Sequence, residues 1–380
     1  MALDMLETLR DIDPALLSDV VRQEQRSPSF EITDWSVERL STKGMINPDG
    51  LFLFKGQGRD GHGAQGESWS VVLKILRNPG VEQDPRDLWY WKRELLALQS
   101  GFLLNLPANS IVAPRFYGMT EYDDSAWVWM EHIRIEPGPR WTVAEYALAA
   151  HKLGRLNGAY VTGTPLPDFP WLCKEHNRSW SNTFPLDHAW ESPVVQATFP
   201  ASIQGRIFNL WEERERFFDA LNRLPQTFSH FDFQRRNLFL HSQNNQHTII
   251  AVDWAQCGYG ALGAELAYLL EGTALLFEIE PEEIAELEPP VFEAYLAGLR
   301  EMGWTGSSEF VRLGYAAQAA TLVGTMPPAG IAFWTSDAMQ TRLKEQIDRS
   351  PELFAATLSV LCEYGLNCAD EARQLMDRLL

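Results

Sequence analysis

Three oxygen-bearing side chains in the second half of the chain have the types and the spacing that phosphoryl transfer requires. Asp232 and Asn237 are five residues apart, and Asp253 follows sixteen residues after Asn237. An aspartate can accept or orient the proton of an attacking hydroxyl, and an asparagine with a second aspartate can hold a divalent cation. Magnesium prefers oxygen ligands and keeps some of its waters, so a few protein oxygens suffice.

A lysine and a glutamate upstream have the charges that complete such a site. Lys74 ends an apolar run, and Glu94 follows twenty residues later on a predicted helix. A lysine at this place can put a compact positive charge against the phosphates of a nucleotide. The glutamate can hold the ammonium group by an ion pair. Because an isolated lysine on a strand is more often a solvated edge residue, this prediction depends on the combination with Asp232, Asn237 and Asp253.

The elements that carry these residues are predicted from hydrophobic periodicity and turn residues. Residues 1–28 have helical spacing with a break at Asp13-Pro14. A helix over 85–100 interrupts a series of strands at 35–40, 51–55, 69–76, 111–117 and 126–131. Beyond residue 133 the pattern is helical, with long helices over 142–160 and 203–224.

This order of elements predicts an α+β fold, in which β-β-β-α-β-β forms a small antiparallel sheet with one helix on it. We divide the chain into three parts. Residues 1–30 are an N-terminal helical extension that packs against the first lobe. Residues 31–133 are a lobe built on the sheet, which carries Lys74 and Glu94, and residues 134–380 are a mostly helical lobe, which carries Asp232, Asn237 and Asp253.

Residues 56–61 satisfy the pattern G-x-G-x-x-G, which is also found in dinucleotide-binding proteins. In those proteins a helix follows at once, whereas here a glycine-rich turn and the strand at 69–76 follow. A phosphate-covering hairpin at 56–61 would need two strands before Lys74, and only one fits. We therefore predict that residues 41–50 cover the phosphates and that residues 56–66 form the next turn.

Length and composition favour a packed globular protein with two lobes. The chain has 380 residues, of which 45% are hydrophobic and 12% aromatic, so general disorder is excluded. Its formal net charge of −19 opposes binding to nucleic-acid backbones and anionic membranes, and it suits a cationic small substrate. An acidic surface also simply increases solubility, so both interpretations stay open.

The four cysteines are scattered and include no C-x-x-C pair, which predicts reduced thiols and neither a zinc site nor a redox motif. The first ten residues carry acids and lack the pattern of a signal peptide. No apolar run reaches membrane-spanning length. We expect a soluble, cytoplasmic protein that binds neither nucleic acid nor membrane.

The motifs resemble those of the aminoglycoside phosphotransferase and choline kinase branch of the protein-kinase-like fold. The resemblance covers most of residues 31–380 and rests on His230-x-Asp232-x4-Asn237 with the downstream Asp253-Trp254. The spacing from Asp to Asn is shared by kinase-like catalytic loops. The tryptophan, in place of the Phe of the protein-kinase Asp-Phe-Gly, indicates the small-molecule branch.

Two further segments resemble helix motifs of that branch, at residues 153–158 and 263–267. The family more often has aspartate where this chain has Glu265, so the tie between the following helix and the catalytic loop is an open question. The Ala-Pro-Glu end of a protein-kinase activation segment is absent. The resemblance thus implies a bilobal protein-kinase-like fold and a small-molecule substrate.

The resemblance also implies a role for each matched residue. Asp232 accepts or orients the proton of the substrate hydroxyl, and Asn237 and Asp253 bind magnesium. Lys74 neutralises the nucleotide phosphates, with Glu94 orienting it. The hinge whose backbone meets the purine comprises Met130, Glu131, His132 and Ile133.

In the resembling family the acceptor lies in the helical lobe, and two segments are candidates to line it. Residues 163–200 form a possible aromatic lid, with Trp171, Trp180, His188 and Trp190. Residues 278–288 are rich in glutamate and can attract amines, although acids also suit the N-terminal end of a helix.

We therefore predict a magnesium-dependent phosphotransferase that moves the γ-phosphate of ATP or GTP to a hydroxyl of a small molecule. The first hypothesis for the acceptor is an aminoglycoside-like amino sugar or an amino alcohol. The alternatives are a kinase for a sugar or a biosynthetic intermediate, and a nucleotide-binding pseudokinase that scaffolds a partner. Antibiotic resistance, salvage and biosynthesis all stay open as biological roles.

Overall fold

The computed structural model describes residues 2–40, 50–60, 65–134, 140–186, 190–191, 193–243, 246–334 and 350–380. Its contacts divide the chain into two compact units. The first unit comprises Met1–Glu82, Glu94–Leu104 and Ala113–Glu136, and the second comprises Gln83–Arg93, Asn105–Val112 and Pro137–Leu380. The division at residues 30 and 133 made from the sequence stays a prediction about domains.

The α+β class is confirmed, since strands dominate the first unit and helices the second. The strands are β1 Glu31–Arg39, β2 Leu51–Arg59, β3 Gln65–Arg77, β4 Ile111–Val112, β5 Phe116–Glu121, β6 Ser125–Glu131, β7 Gln226–Ser229, β8 Leu238–Gln243, β9 Gln246–Ala251 and β10 Gly258–Ala261. The helices up to the catalytic loop are α1 Ala2–Arg10, α2 Pro14–Gln25, α3 Arg93–Gln99, α4 Val143–Val161, α5 His176–Thr183, α6 Pro193–Thr198, α7 Ala201–Glu212 and α8 Arg214–Arg223. Those after it are α9 Thr273–Leu275, α10 Ile284–Glu301, α11 Ser308–Gly324, α12 Met326–Trp334 and α13 Pro351–Leu379.

The first unit is built on an antiparallel five-stranded sheet in the order β1-β2-β3-β6-β5. Alternate residues of β2 and β3 point to one face, so that Phe54 pairs with Val71 and Phe52 with Leu73, and all four side chains are buried. The helices α1 and α2 contribute apolar side chains to the same core, among them Leu9, Leu17, Val20 and Val21. Burial of these stripes is what holds the two helices on the sheet.

The turn predicted at residues 56–66 is wrong at both ends, because β2 continues through Gly56 and Gly58 to Arg59 and β3 begins at Gln65. Residues 61–64 lie outside the described residues. A side chain at Gly58 would lie 2.2 Å from the ring of Phe30, and one at Gly56 would lie 2.1 Å from the carbonyl oxygen of Asp34. These glycines therefore allow close packing within the sheet and do not mark a turn. The loop at 41–50 that we predicted to cover the phosphates lies outside the described residues, except for Gly50.

The helix predicted over 85–100 is wrong in its first half, since α3 begins only at Arg93. The buried guanidinium group of Arg93 donates to backbone carbonyl oxygens of the preceding turns and of two distant segments. The oxygens belong to Pro85, Asp87, Leu88, Trp171 and Ala255. A carbonyl that accepts from a side chain in this way does not need a helical ladder. Residues 85–92 accordingly form turns.

Two other predicted elements are divided in the structure. The strand predicted at 111–117 becomes β4, which pairs in parallel with β9, and β5, which belongs to the sheet of the first unit. Pro114 separates them, and it has no N–H to continue a ladder. The helix predicted over 203–224 is α7 followed by α8, with Glu213 at the junction.

The second unit positions its loops with closely packed helices and two small sheets, β10-β7 and β4-β9-β8. Helices α4 and α10 approach so closely that a side chain at Gly154 would lie 2.2 Å from the carbonyl oxygen of Tyr295. One at Gly298 would lie 2.2 Å from that of His151. Within the described residues, no helix is both long enough and apolar enough to cross a membrane.

Candidate active site

The carboxylate of Asp232 is held on both oxygens by side chains of its own loop. Gln234 Nε2 donates to Asp232 Oδ1 at 2.5 Å, and Asn237 Nδ2 donates to Oδ2 at 2.7 Å. Asn237 Nδ2 also lies 2.9 Å from the backbone oxygen of Asp232. The loop runs from the end of β7 to a 3₁₀ turn at Arg235–Asn237, so the five-residue spacing closes it on itself. The carboxylate is therefore fixed in direction before any substrate is present.

His230 lies under this loop as a neutral ring with a defined tautomer. Its Nε2 lies 3.0 Å from the backbone oxygen of Val252, to which it can only donate. Its Nδ1 is therefore the acceptor for the backbone N–H of Asp232, at 3.2 Å. The ring also packs on Trp254, with centroids 4.4 Å apart. His230 thus joins the loop of Asp232 to the segment that leads to Asp253.

Glu265, at a position where the family more often has aspartate, holds the backbone of the Asp232 loop. Its Oε1 accepts the backbone N–H of His230 at 2.6 Å and that of Phe231 at 3.1 Å. Phe231 has a φ of 61°, in the left-handed region that side chains other than glycine rarely adopt. The glutamate ties the loop firmly and stabilises this conformation.

Burial raises the pKa of Glu265 to about 7, from an ordinary value of 4.5, because a charged carboxylate loses its hydration inside the protein. The two backbone N–H groups that it accepts act in the opposite direction. The carboxyl group therefore titrates close to neutral pH.

Both helix motifs noted in the sequence support the loop of Asp232. In α4, Asn157 Nδ2 donates to the backbone oxygen of Phe228 in β7, at 3.3 Å. The hydroxyl of Tyr295 donates to Asn157 Oδ1 at 2.8 Å and accepts the N–H of Gly263 at 3.1 Å. This buried chain of hydrogen bonds fixes the strand before the loop and the turn before Glu265.

The two predicted magnesium ligands lie at the same end of the β8–β9 hairpin. Leu238 pairs with Ala251, and the N–H of Val252 donates to the backbone oxygen of Asn237 at 2.9 Å. Asp253 follows directly, with a left-handed φ of 65°. Because Asn237 directs its amide nitrogen to Asp232, its amide oxygen is the atom suited to a cation.

The donor set fits magnesium better than a transition metal. Among the described residues, no group of three or more His, Cys, Asp or Glu side chains is arranged to hold a metal ion. One carboxylate and one amide oxygen suit a cation that keeps waters and takes phosphate oxygens as further ligands. Bound there, magnesium would neutralise charge on a nucleotide phosphate.

Arg236 supplies positive charge among these acids. Burial lowers the pKa of Arg236, and the neighbouring carboxylates of Asp232, Glu278 and Asp253 act in the opposite direction. The surroundings of Arg236 place it with the residues of the candidate site.

In the first unit, Lys74 and Glu94 form an ion pair. Lys74 Nζ lies 2.5 Å from Glu94 Oε2, and the two side chains are 14% and 3% exposed. Lys74 lies on β3, paired with Val128 of β6, and Glu94 lies in the first turn of α3. A lysine held in this way has a fixed direction, which is what a role at phosphates needs.

The predicted purine hinge, residues 130–133, begins in β6 and continues past its end. The carboxylate of Glu131 accepts from Arg115, at 2.8 Å from Nη2 and 3.1 Å from the backbone N. His132 Nδ1 lies 2.9 Å from Ser70 Oγ. Both polar side chains already have protein partners, and the N–H of Glu131 donates to the backbone oxygen of Arg115 at 2.8 Å. The backbone beyond β6, at His132 and Ile133, is therefore the part of this segment that suits a purine.

The aromatic segment at 163–200 serves mainly in packing. Trp171 is buried and stacks on Phe169 at 4.8 Å, and Trp190 packs on Phe208 at 4.7 Å. His188 lies outside the described residues. Trp180 lines a narrow cleft of the second unit, together with Tyr268, Gln318 and other uncharged side chains.

The acidic segment at 278–288 is explained largely by helix capping. Glu280 and Glu283 form a capping box at the start of a 3₁₀ turn that leads into α10. Arg140 Nη1 lies 3.1 Å from Glu283 Oε2. These acids have structural partners, so the segment offers less free charge to an amine than its composition suggested.

A model of the phosphotransferase enzyme family matches residues 65–304, which is more than half of the chain. The chain belongs to this family. It is therefore a small-molecule kinase with a protein-kinase-like α+β fold, as the resemblance of its motifs implied. No curated protein matches the sequence.

Several solved kinases are similar in structure. A microcompartment-associated aminopropanol kinase matches 95% of this chain and 98% of its own, with 13% identity and a TM-score of 0.51. An amicoumacin kinase, solved in complex with AMP-PNP, Ca²⁺ and Ami, matches 95% of both chains, with 14% identity and a TM-score of 0.47. An aminoglycoside-3'-phosphotransferase of type VIII matches 79% and 96%, with 16% identity and a TM-score of 0.40. At such identities the likeness concerns the fold alone.

We predict that Glu265→Gln removes a pH-dependent loss of stability. Since the folded-state pKa lies above the unfolded value, the folded protein binds more protons between pH 4.5 and about 7, and its stability falls as the pH rises through this window. Glutamine keeps an acceptor for the two backbone N–H groups but does not titrate. Relative to wild type, the free energy of unfolding of the variant should increase across the window by up to about 3 kcal/mol.

Urea unfolding at a series of pH values measures this difference. The control is Glu286→Gln, an exposed glutamate of α10, which should run parallel to wild type. A difference between Glu265→Gln and wild type that does not change with pH would contradict the assignment.

Proposed function

We propose that this kinase transfers the γ-phosphate of ATP or GTP, with magnesium, to a hydroxyl group of a small molecule. The observation that carries the proposal is the closed loop of Asp232, whose carboxylate is held at 2.5 Å by Gln234 and at 2.7 Å by Asn237. A carboxylate with a fixed direction can accept the hydroxyl proton as the oxygen attacks phosphorus.

Magnesium is proposed to bind the amide oxygen of Asn237 and the carboxylate of Asp253. The hydrogen bond between Val252 N–H and the backbone oxygen of Asn237 supports this pairing, since it joins the two segments directly before Asp253. The metal would take its remaining ligands from water and from the nucleotide.

In the first unit, Lys74 is proposed to neutralise the nucleotide phosphates, with Glu94 as its orienting partner. Their 2.5 Å ion pair supports this role, because it leaves a nearly buried ammonium group with a single defined direction. The backbone of residues 130–133 is proposed to meet the purine. Both ATP and GTP suit a hinge that reads the base through main-chain atoms.

The acceptor is proposed to be a small alcohol that carries an amine. The net charge of −19 attracts cations, and the similar aminopropanol kinase is named for such a compound. The proposed role of Asp232 requires only a hydroxyl group on the acceptor. An amino sugar and an amino alcohol both have such a group.

We predict that wild-type protein with magnesium and ATP or GTP phosphorylates an amine-bearing acceptor and that Asp232→Asn loses about 10²- to 10⁴-fold in kcat. The panel comprises an aminoglycoside, 1-amino-2-propanol, a hexose and the neutral diol 1,2-propanediol, with ADP or GDP release as the readout. The diol is the matched control for the amine. Preference for the neutral compounds would favour a sugar or intermediate kinase. Nucleotide binding without transfer to any acceptor would favour a scaffolding pseudokinase.

We predict that Asp253→Ala abolishes the magnesium dependence of nucleotide binding. Calorimetry with ATP, in the presence and absence of magnesium, should show tighter binding with the metal for wild type and equal binding for the variant. Asp219→Ala, at an exposed aspartate of α8, is the control and should behave as wild type. Unchanged magnesium dependence in Asp253→Ala would show that the metal assignment is wrong.

We predict that Lys74→Met weakens binding of magnesium-ATP by roughly 10- to 100-fold, since a charge-assisted contact to phosphate is lost. Lys55→Met is the matched control, because Lys55 on the neighbouring strand forms an exposed ion pair with Glu38 at 2.8 Å. The double variant with Glu94→Gln also removes the buried negative charge that loses its ion pair with Lys74 in Lys74→Met. Equal affinities for the Lys74 and Lys55 variants would exclude the proposed phosphate role.

A further inference from the structure

His176 is a buried histidine that belongs to none of the motifs, and it stacks on the catalytic loop. It lies at the start of α5 and is 4% exposed. Its ring is nearly parallel to that of Phe231, with centroids 4.3 Å apart and an interplanar angle of 14°. Phe231 is the residue with the left-handed φ directly before Asp232. The imidazole therefore braces the strained position of the loop.

The same ring is hydrogen-bonded to the segment after Asp253. His176 Nε2 lies 2.9 Å from Gln256 Oε1, and its Nδ1 lies 3.2 Å from the hydroxyl of Tyr268. That hydroxyl accepts from Gln318 Nε2 at 3.3 Å, so its own hydrogen is available for His176 Nδ1. His176 Nε2 then carries the ring's hydrogen and donates it to Gln256. Burial lowers the pKa of His176 to about 4, which agrees with a neutral ring.

Backbone contacts hold the segment before His176 against the same region. The N–H of Cys173 donates to the oxygen of Cys257 at 3.1 Å, and the N–H of Tyr259 donates to the oxygen of Cys173 at 3.1 Å. A side chain at Gly258, between these two residues, would lie 2.1 Å from the oxygen of Cys173. Because the chain is anchored here, the ring of His176 has a fixed base from which it contacts both loops.

We propose that His176 is a positioning residue, which holds the segment carrying Asp232 by ring stacking and the segment carrying Asp253 by its hydrogen bond to Gln256. It has no contact role with the substrate in this proposal. The expected effect on phosphotransfer rests on the proposed function, whereas the expected effect on the two segments does not.

Two substitutions separate the two contacts. His176→Phe keeps a ring that can stack on Phe231 and loses the donor to Gln256. His176→Gln keeps a nitrogen donor near the position of Nε2 and loses the aromatic stack. His176→Ala loses both. The matched control is Phe354→Ala, which removes another buried ring of the second unit, one that packs on Phe277 in a tilted arrangement with centroids 5.0 Å apart.

Hydrogen–deuterium exchange of the folded variants tests the positioning directly. His176→Ala should raise the exchange rate of the backbone amides of residues 229–237 and 253–257 by about tenfold or more. His176→Phe should raise the rate mainly in residues 253–257, and His176→Gln mainly in residues 229–237. Phe354→Ala should leave both segments as in wild type. Unchanged exchange in both segments of His176→Ala, or the same change in Phe354→Ala, would overturn the inference.

Hydrolysis of magnesium-ATP without an acceptor gives the kinetic readout. We expect kcat to fall by about tenfold or more in His176→Ala while KM for magnesium-ATP stays within a small factor, since the loss is one of geometry at the reacting groups. A fall in kcat that Phe354→Ala reproduces would count against the inference. If wild type hydrolyses no nucleotide without an acceptor, the exchange data decide whether His176 positions the two segments, and the acceptor panel separately decides the proposed function.

Discussion

One buried carboxylate, that of Glu265, accepts two successive backbone N–H groups of the catalytic loop, and the geometry of the site depends on this contact. Without it, the N–H groups of His230 and Phe231 would be buried and unpaired, which costs on the order of 1–3 kcal/mol each. The left-handed φ of Phe231 adds strain, which persists only where the surroundings determine it. The carboxylate of Glu265 accepts both N–H groups and stabilises the strained conformation of Phe231. In return it loses hydration, which raises its pKa to about 7.

The remaining contacts of the loop follow from this arrangement. With Phe231 turned, His230 lies under the loop and reaches the oxygen of Val252. The N–H of Val252 in turn donates to the backbone oxygen of Asn237. This hydrogen bond joins the loop of Asp232 to the end of the β8–β9 hairpin that Asp253 follows. A substitution at any residue of this hydrogen-bonded network is expected to displace the carboxylates of Asp232 and Asp253 together, because the hydrogen bonds share their partners.

The sequence predicted that Asp232 and Asn237 lie together on one loop, because the contacts between them are local. Gln234 and Asn237 reach Asp232 across two and five residues, so spacing alone carries the information. The sequence prediction was wrong where contacts between distant residues determine the local structure. Residues 85–92 form turns and not the predicted helix, because Arg93 binds backbone carbonyls as far as 162 residues away along the chain. His176 was missed for the same reason, since its partner Gln256 is 80 residues away and a lone histidine in an irregular segment has no periodic pattern.

Several of the groups that hold the loop of Asp232 are uncharged. Asp232 is held by two carboxamides, and the neighbouring segments are joined by neutral imidazoles and amides. A lysine in place of either carboxamide would add a positive charge that competes with a metal or an incoming proton for the carboxylate of Asp232. Neutral donors give direction without that competition. Arg236 is a nearby cation, and the carboxylates of Asp232, Glu278 and Asp253 stabilise its positive charge. The two carboxamides thus orient Asp232 without adding a charge of their own, while burial of Glu265, which holds the backbone of the loop, raises its pKa and favours its neutral form.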